Sequence, residues 1–180
     1  MRMETSDERL AIAAATGDRV AFSTLLERHY DRVFALAFRL TGRQADAEDL
    51  TQDICATLPA KLASFRREAR FTTWLYRVVV NTAHDRRRRL ATYQKATEGW
   101  GDWEVNRRAV IDEGEDRSTW LMQAMSALGN DLRDTLALIL DDLTHAEAAE
   151  VLEVSEGTIS WRMSEIKKQL AQLRAAEEQV

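Results

Sequence analysis

An all-α fold is what this sequence predicts, arranged as two small helical domains joined by a flexible linker, and three observations carry that expectation. Apolar residues recur every three or four positions through most of the chain. Cap and stop residues bracket those runs. One stretch, residues 91–117, has no sustained period and separates the helical runs into two groups.

Taken in order, Ser6 or Asp7 caps a first helix that runs to Thr16, with Gly17 as its stop. Asp18 caps a second, in which Phe22, Leu25, Leu26, Val33, Phe34, Ala37 and Leu40 fall at helical spacing before Gly42. A third begins near Ala45 and runs toward Leu58, where Pro59, the single proline, is expected to break or restart it. Residues 64–70 read as a basic loop. A fourth helix is expected over about residues 72–89, with Phe71, Trp74, Leu75, Val78 and Val79 on its inner side. The run FTTWLYRVVV is rich enough in β-branched and aromatic residues to suit a strand. Helix is preferred because the pattern continues through Asn81, Ala83 and the arginines without a turn signal.

Residues 91–117 carry three glycines and many charges and read as linker; Trp100 and Trp103 either pin it to a surface or stand exposed. The helical period returns in STWLMQAMSAL and LRDTLALILDD. Thr144 and Glu147 stand three apart and fit a capping box, and Ser155 can cap the helix that follows. Ala149, Glu153 and Ile159 then give a helix-turn-helix rhythm of small residue, turn and aliphatic anchor. The domains expected are residues 1–90, a linker at 91–117, and residues 118–180.

Composition excludes several classes. No apolar run approaches the ~20 residues of a membrane helix, so no membrane insertion is expected, and MRMETSDERL has no signal-peptide character. Cys55 is the lone cysteine, so no internal disulfide forms and a cytoplasmic setting is expected. With three scattered histidines, a zinc site or other cofactor is not expected. No nucleophile elbow, phosphate loop or metal-ligand cluster supports an enzyme.

The net charge of −5 hides an uneven distribution. Residues 1–90 carry a net +4, residues 91–117 a net −3 and residues 118–180 a net −6. Within residues 64–89, eight arginines face only Glu68 and Asp85. A local basic patch of this kind suits a nucleic acid whatever the whole-chain charge. Just before it, Asp46, Asp49, Gln52 and Asp53 recur at spacings of three and four and share one helix face. That face suits a basic protein partner, or is simply solvated.

Together, DAEDLTQDI, FRREARFTTWLYRVVVNTAHDRRRR and LTHAEAAEVLEVSEGTISWRMSEIKKQL resemble regions 2.2, 2.3–2.4 and 4.2 of bacterial sigma-70 factors, in the small extracytoplasmic-function class. The resemblance spans about residues 8–90 and 118–175. It implies a non-catalytic initiation factor whose partners are core RNA polymerase, promoter DNA and an anti-sigma factor. It puts polymerase docking, on the β′ clamp helices, at Asp46, Glu48, Asp49, Gln52 and Asp53, with a weaker C-terminal contact on the β flap. It puts the downstream promoter element, opened and captured as single strand, on the loop Ser64, Phe65, Arg66, Arg67 and Arg70. Tyr76, Arg77, Asn81, His84, Arg86, Arg87 and Arg88 stand beside that loop. Trp74 reads as core, and Tyr76 lies off the apolar stripe, where it could face DNA. The upstream element falls to Ser155, Thr158, Ser160, Trp161, Arg162 and Lys167. Trp161 is equally readable as a base or sugar contact, a partner contact or core.

The second half departs from the family pattern. Glu153 stands where glycine is usual, Leu128-Gly129-Asn130 replaces the usual Leu-Pro, and the recognition helix is poor in basic residues. That acidic half leaves a second reading: a sigma-like mimic or regulator that binds an anti-sigma factor and no promoter.

Overall fold

The computed structural model describes residues 6–97 and 116–177, and among them eight helices and no strand. Helices α1 (Asp7–Ala15), α2 (Arg19–Thr41), α3 (Gln44–Leu62) and α4 (Phe71–Thr97) form the N-terminal bundle. Helices α5 (Asp116–Ala127), α6 (Asn130–Ile139), α7 (His145–Leu152) and α8 (Glu156–Glu177) form the C-terminal one.

The helix boundaries follow local chemistry. Ser6 caps α1 by accepting from the Arg9 N–H. Asp18 caps α2 by accepting from the N–H groups of Val20 and Ala21, at 2.9 and 3.0 Å. Gly42 ends α2 at φ 76°, a left-handed conformation that costs glycine nothing. Pro59 does not break α3, which continues to Leu62. The missing N–H and ring clash would cost about 3 kcal/mol in isolation, but Leu58 and Leu62 on either side are both buried in the core and hold the last turn in place. Helix, not strand, is correct for FTTWLYRVVV, and α4 extends to Thr97, past the expected start of the linker. Trp100 and Trp103 lie outside the described residues.

Three consecutive valines, Val78, Val79 and Val80, are all buried, although an amphipathic helix normally hides one stripe. The reason is that α4 is packed on two sides: against α2 and α3 of its own bundle, and against α7 of the other. Helices α2 and α6 also meet across this junction. The core therefore runs from Leu25, Leu36 and Leu50 through Phe71 and Leu75 to Leu138, Ile159 and Ile166.

In the C-terminal bundle the capping box is formed: Thr144 accepts from the Glu147 N–H while Glu147 accepts from the Thr144 N–H at 2.9 Å. Those bonds to Thr144, together with the nearby Arg70, hold the Glu147 carboxyl below its ordinary value. The turn between α7 and α8 passes through Glu153 at φ 55°, ψ 42°. A side chain there costs about 1 kcal/mol or more relative to glycine. Ser155 then caps α8 by accepting from the Thr158 N–H at 3.0 Å.

Candidate polymerase and nucleic-acid interfaces

The acidic face of α3 is real and outward. Ala47, Leu50, Thr51 and Ile54 are buried, so Glu48, Asp49, Gln52 and Asp53 point to solvent, with Asp46 half-buried at the edge. Its geometry has one feature the sequence concealed. Arg86, grouped with the other arginines as a DNA contact, reaches back across α3. Its guanidinium lies 3.0 Å from Asp49, 3.6 Å from Asp46 and 3.7 Å from Asp53. Opposite charges at these distances hold three mutually repelling carboxylates in one fan. Asp49 and Asp53 remain about two-thirds exposed and keep oxygens for another cation.

The loop after α3 builds a cleft of about 210 Å³ lined by Ser64, Phe65, Arg66, Arg67, Glu68, Ala69, Trp74 and Arg77. Its floor is aromatic: Phe65 lies 5.4 Å from Trp74 and 5.7 Å, edge-on, from Phe71. Trp74 thus contributes both to the half-buried core, as expected, and to the wall of the cleft. Arg66 and Arg67 are exposed and form no ion pair among the described residues, and Arg70 is 81% exposed with only a 3.9 Å approach to Glu147. Arg67 sits at φ 61°, where the chain turns to close the loop. An aromatic floor beneath uncommitted guanidiniums offers stacking and phosphate neutralisation together, which is what a splayed single-stranded base needs.

Along α4, the expected DNA residues divide. Asn81 and Arg88 are exposed, Arg88 lying 3.4 Å from Asp85. Tyr76, His84 and Arg87 share a different face, by spacings of eight and three, and meet the C-terminal bundle. Tyr76 is not free to face DNA: it is 3% exposed and donates a hydrogen bond to Asp141. Burial, and then that bond, push its phenol well above the ordinary value. Arg39 reaches the same carboxylate at 3.0 Å. His84 lies 2.6 Å from Asp134, which also accepts two 2.9 Å bonds from Arg87. Arg77 donates to the Glu150 carbonyl at 2.8 Å and lies 3.7 Å from Glu153.

Ser155, just before α8, and Ser160, Trp161 and Lys167 on α8 are exposed and Thr158 is half-buried, with Ser160 3.1 Å from His145. Trp161 is 64% exposed, so it is not core. Arg162 leaves the set: it turns inward, is 13% exposed, and pairs with Asp131 on α6 at 3.0 Å. The sequence reading missed Arg39, Asp134 and Asp141. No local pattern marks them, since their partners lie 47 to 102 residues away; the acidity of the C-terminal half was the only hint. Among the described residues no group of side chains is arranged to hold a metal ion, and no helix is long and apolar enough to cross a membrane.

Comparison with known proteins matches residues 25–92 to sigma-70 region 2 and residues 118–170 to sigma-70 region 4. The chain is 32% identical over 174 residues to the ECF RNA polymerase sigma factor SigM of Mycobacterium tuberculosis, covering 96% of this chain and 86% of that protein. It is 27% identical to the ECF sigma factor SigW of Bacillus subtilis, covering 87% and 92% of the two chains. Among solved structures, CnrH in complex with the cytosolic domain of CnrY superposes with a TM-score of 0.68 at 26% identity, over 96% of this chain and 99% of that one. RpoE of Bartonella quintana, solved with the anti-sigma factor NepR, shares the fold with a TM-score of 0.70 at 24% identity, over 86% and 96%.

Proposed function

The chain belongs to the sigma-70 family, in its extracytoplasmic-function class, and from that premise we propose which surfaces carry its work. As a sigma factor it binds core RNA polymerase and directs promoter recognition and initiation, without catalysis of its own. The polymerase dock is the α3 face of Asp46, Glu48, Asp49, Gln52 and Asp53, held in shape by Arg86. The downstream element is captured as single strand in the cleft of residues 64–70, with Trp74 as floor and Asn81, Arg77 and Arg88 beside it. The upstream element is read by the exposed start of α8 through Ser155, Ser160, Trp161 and Lys167, while Arg162 braces α8 on α6.

The observation that carries this assignment is the separation of charge on one small bundle. Carboxylates occupy the outer side of α3, and uncommitted arginines ring an aromatic cleft at its far end. The N-terminal domain, expected at residues 1–90 and carried on by α4 to Thr97, serves core and downstream-element binding; the C-terminal one, expected at residues 118–180 with α5 starting at Asp116, serves the upstream element. Its action belongs in the cytoplasm, where its polymerase works. An anti-sigma factor fits as the regulator, since CnrH was solved bound to a cytosolic partner domain. The acidic C-terminal half, which favoured a promoter-blind mimic, now has a structural use: Asp134 and Asp141 pair with α2 and α4.

Reconstitution tests the assignment. Core polymerase plus the purified chain should start transcription at a defined promoter site. Filling the cleft by Ala69→Trp should abolish open-complex formation, read by permanganate reactivity, and leave core binding intact. Open complexes formed at the normal level by that variant would refute the cleft as the capture site.

A further inference from the structure

We propose that α1 is a positioning element for strand capture: through Asp7, Glu8 and the ring of His29 it fixes Phe71, the residue against which the aromatic floor of the cleft rests. This role depends on the assignment of the cleft of residues 64–70 to single-stranded promoter DNA.

Helix α1 lies before residues 25–92, the stretch matched to sigma-70 region 2, so no part of that match covers it. It is nevertheless built into the bundle: Leu10 and Ala11 are buried, and α1 packs against α2, α3 and α4. Its first turn reaches the start of α4 by two routes. Glu8 accepts from the Phe71 N–H at 3.4 Å, across 63 residues of chain, and so caps α4 from another helix. Asp7 accepts from His29 Nε2 at 2.7 Å, and the His29 ring lies 5.3 Å from that of Phe71, tilted by 58°. Phe71 is buried and in turn packs against both rings of the floor, Phe65 at 5.7 Å and Trp74 at 5.8 Å.

His29 is the informative residue. It is buried, and its Nδ1 has no hydrogen-bond partner among the described residues. A leucine would fill similar space without stranding a polar atom, so stability alone does not favour histidine here. What the histidine supplies is direction. A single bond to Asp7 fixes the plane of the ring, and Asp7 is itself held through its other oxygen by Arg28 at 2.7 Å. Aromatic pairs depend on orientation. A ring of fixed plane beside Phe71 therefore limits how Phe71, and with it Phe65 and Trp74, can turn. A stacking platform set before the base arrives does not have to be ordered on binding, and the cost so avoided appears as affinity for the strand.

Holoenzymes assembled from core polymerase and the full chain test this role with a single-stranded downstream-element oligonucleotide carrying aminopurine, whose fluorescence reports base stacking. Asp7→Ala frees the His29 ring and leaves its second nitrogen unpaired, which should lower stability. His29→Leu removes the ring and the stranded nitrogen together, which should not. Both should weaken oligonucleotide binding about tenfold, reduce the stacking signal and leave core-polymerase affinity at the parental level. Asp7→Asn keeps an oxygen for Nε2 and should recover most of the loss seen in Asp7→Ala. Parental affinity and signal in both variants would overturn the role of α1, as would losses that follow the melting midpoint and spare His29→Leu. If Asp7→Ala fails to fold, His29→Leu carries the decision. Ala69→Trp in the same assay separates the two assignments. If it abolishes oligonucleotide binding while the Asp7 and His29 variants bind normally, only the positioning role fails. If it leaves binding unchanged, the cleft assignment fails and the positioning role with it.

Discussion

Replacing Arg66, Arg67 and Arg70 together by alanine isolates the electrostatic share of promoter binding. The structure leaves these three guanidiniums uncommitted: two make no ion pair among the described residues, and the third has only a 3.9 Å approach to Glu147 at a highly exposed position. Their removal should therefore cost the fold little, within about 0.5 kcal/mol per site for exposed positions. Each phosphate neutralised on a single strand contributes about 0.7 to the slope of log affinity against log salt, so three contacts contribute about 2. The variant holoenzyme should bind promoter DNA about a hundredfold more weakly at ~0.1 M salt, the difference closing toward ~1 M. Anisotropy titrations across a salt series give both quantities, and circular dichroism checks the fold. A slope unchanged within error would refute the reasoning, because it would mean that no phosphate sits on the loop.

Three further outcomes are expected. Reversing Asp49 and Asp53 to lysine places two cations beside Arg86 on the docking face; core-polymerase affinity should fall by tenfold or more, about 1.4 kcal/mol, measured by calorimetric or surface-capture titration against the purified core. Glu153→Gly relieves the left-handed turn at φ 55° and should stabilise the chain by about 1 kcal/mol, raising the melting midpoint by about 2–4 °C, whereas Glu153→Val should lower it. Asp7 is partly buried, which alone would raise its pKa, but bonds from Arg28 and His29 hold it below the ordinary carboxylate value. Its contribution to stability is then complete above that ordinary value and lost as pH falls through the lowered one. Acid titration of Asp7→Asn should accordingly show a shallower loss of stability below about pH 4 than the parent.

Local chemistry in this chain is legible from its sequence, and long-range contact is not. Helix starts and stops were legible because caps are local: Ser6, Asp18, Gly42, Thr144 with Glu147, and Ser155 act on backbone groups within a few residues. The α3 acidic face was legible for the same reason, since helical spacing alone puts Asp46, Asp49 and Asp53 together. Pro59 misled because a local cost was outweighed by burial of Leu58 and Leu62, which no local pattern reveals. The arginine run misled more instructively. Arg86, Arg87 and Arg88 are consecutive and chemically identical, yet a helix turns each by about 100°. One gathers the carboxylates of α3, one binds Asp134 of the other bundle, and one stays at the surface.

What the amino-acid order determined by itself was therefore the helical class, the two-part division and the opposed charges of α3 and the loop behind it, all consequences of short-range periodicity and capping. Only the tertiary structure decided that Tyr76 is buried, that Arg162 braces rather than contacts, and that Asp134 and Asp141 close one bundle on the other. Those outcomes depend on which faces meet across 31 to 102 residues of intervening chain, and desolvation, the term that makes such pairings strong or costly, exists only once the surfaces have come together.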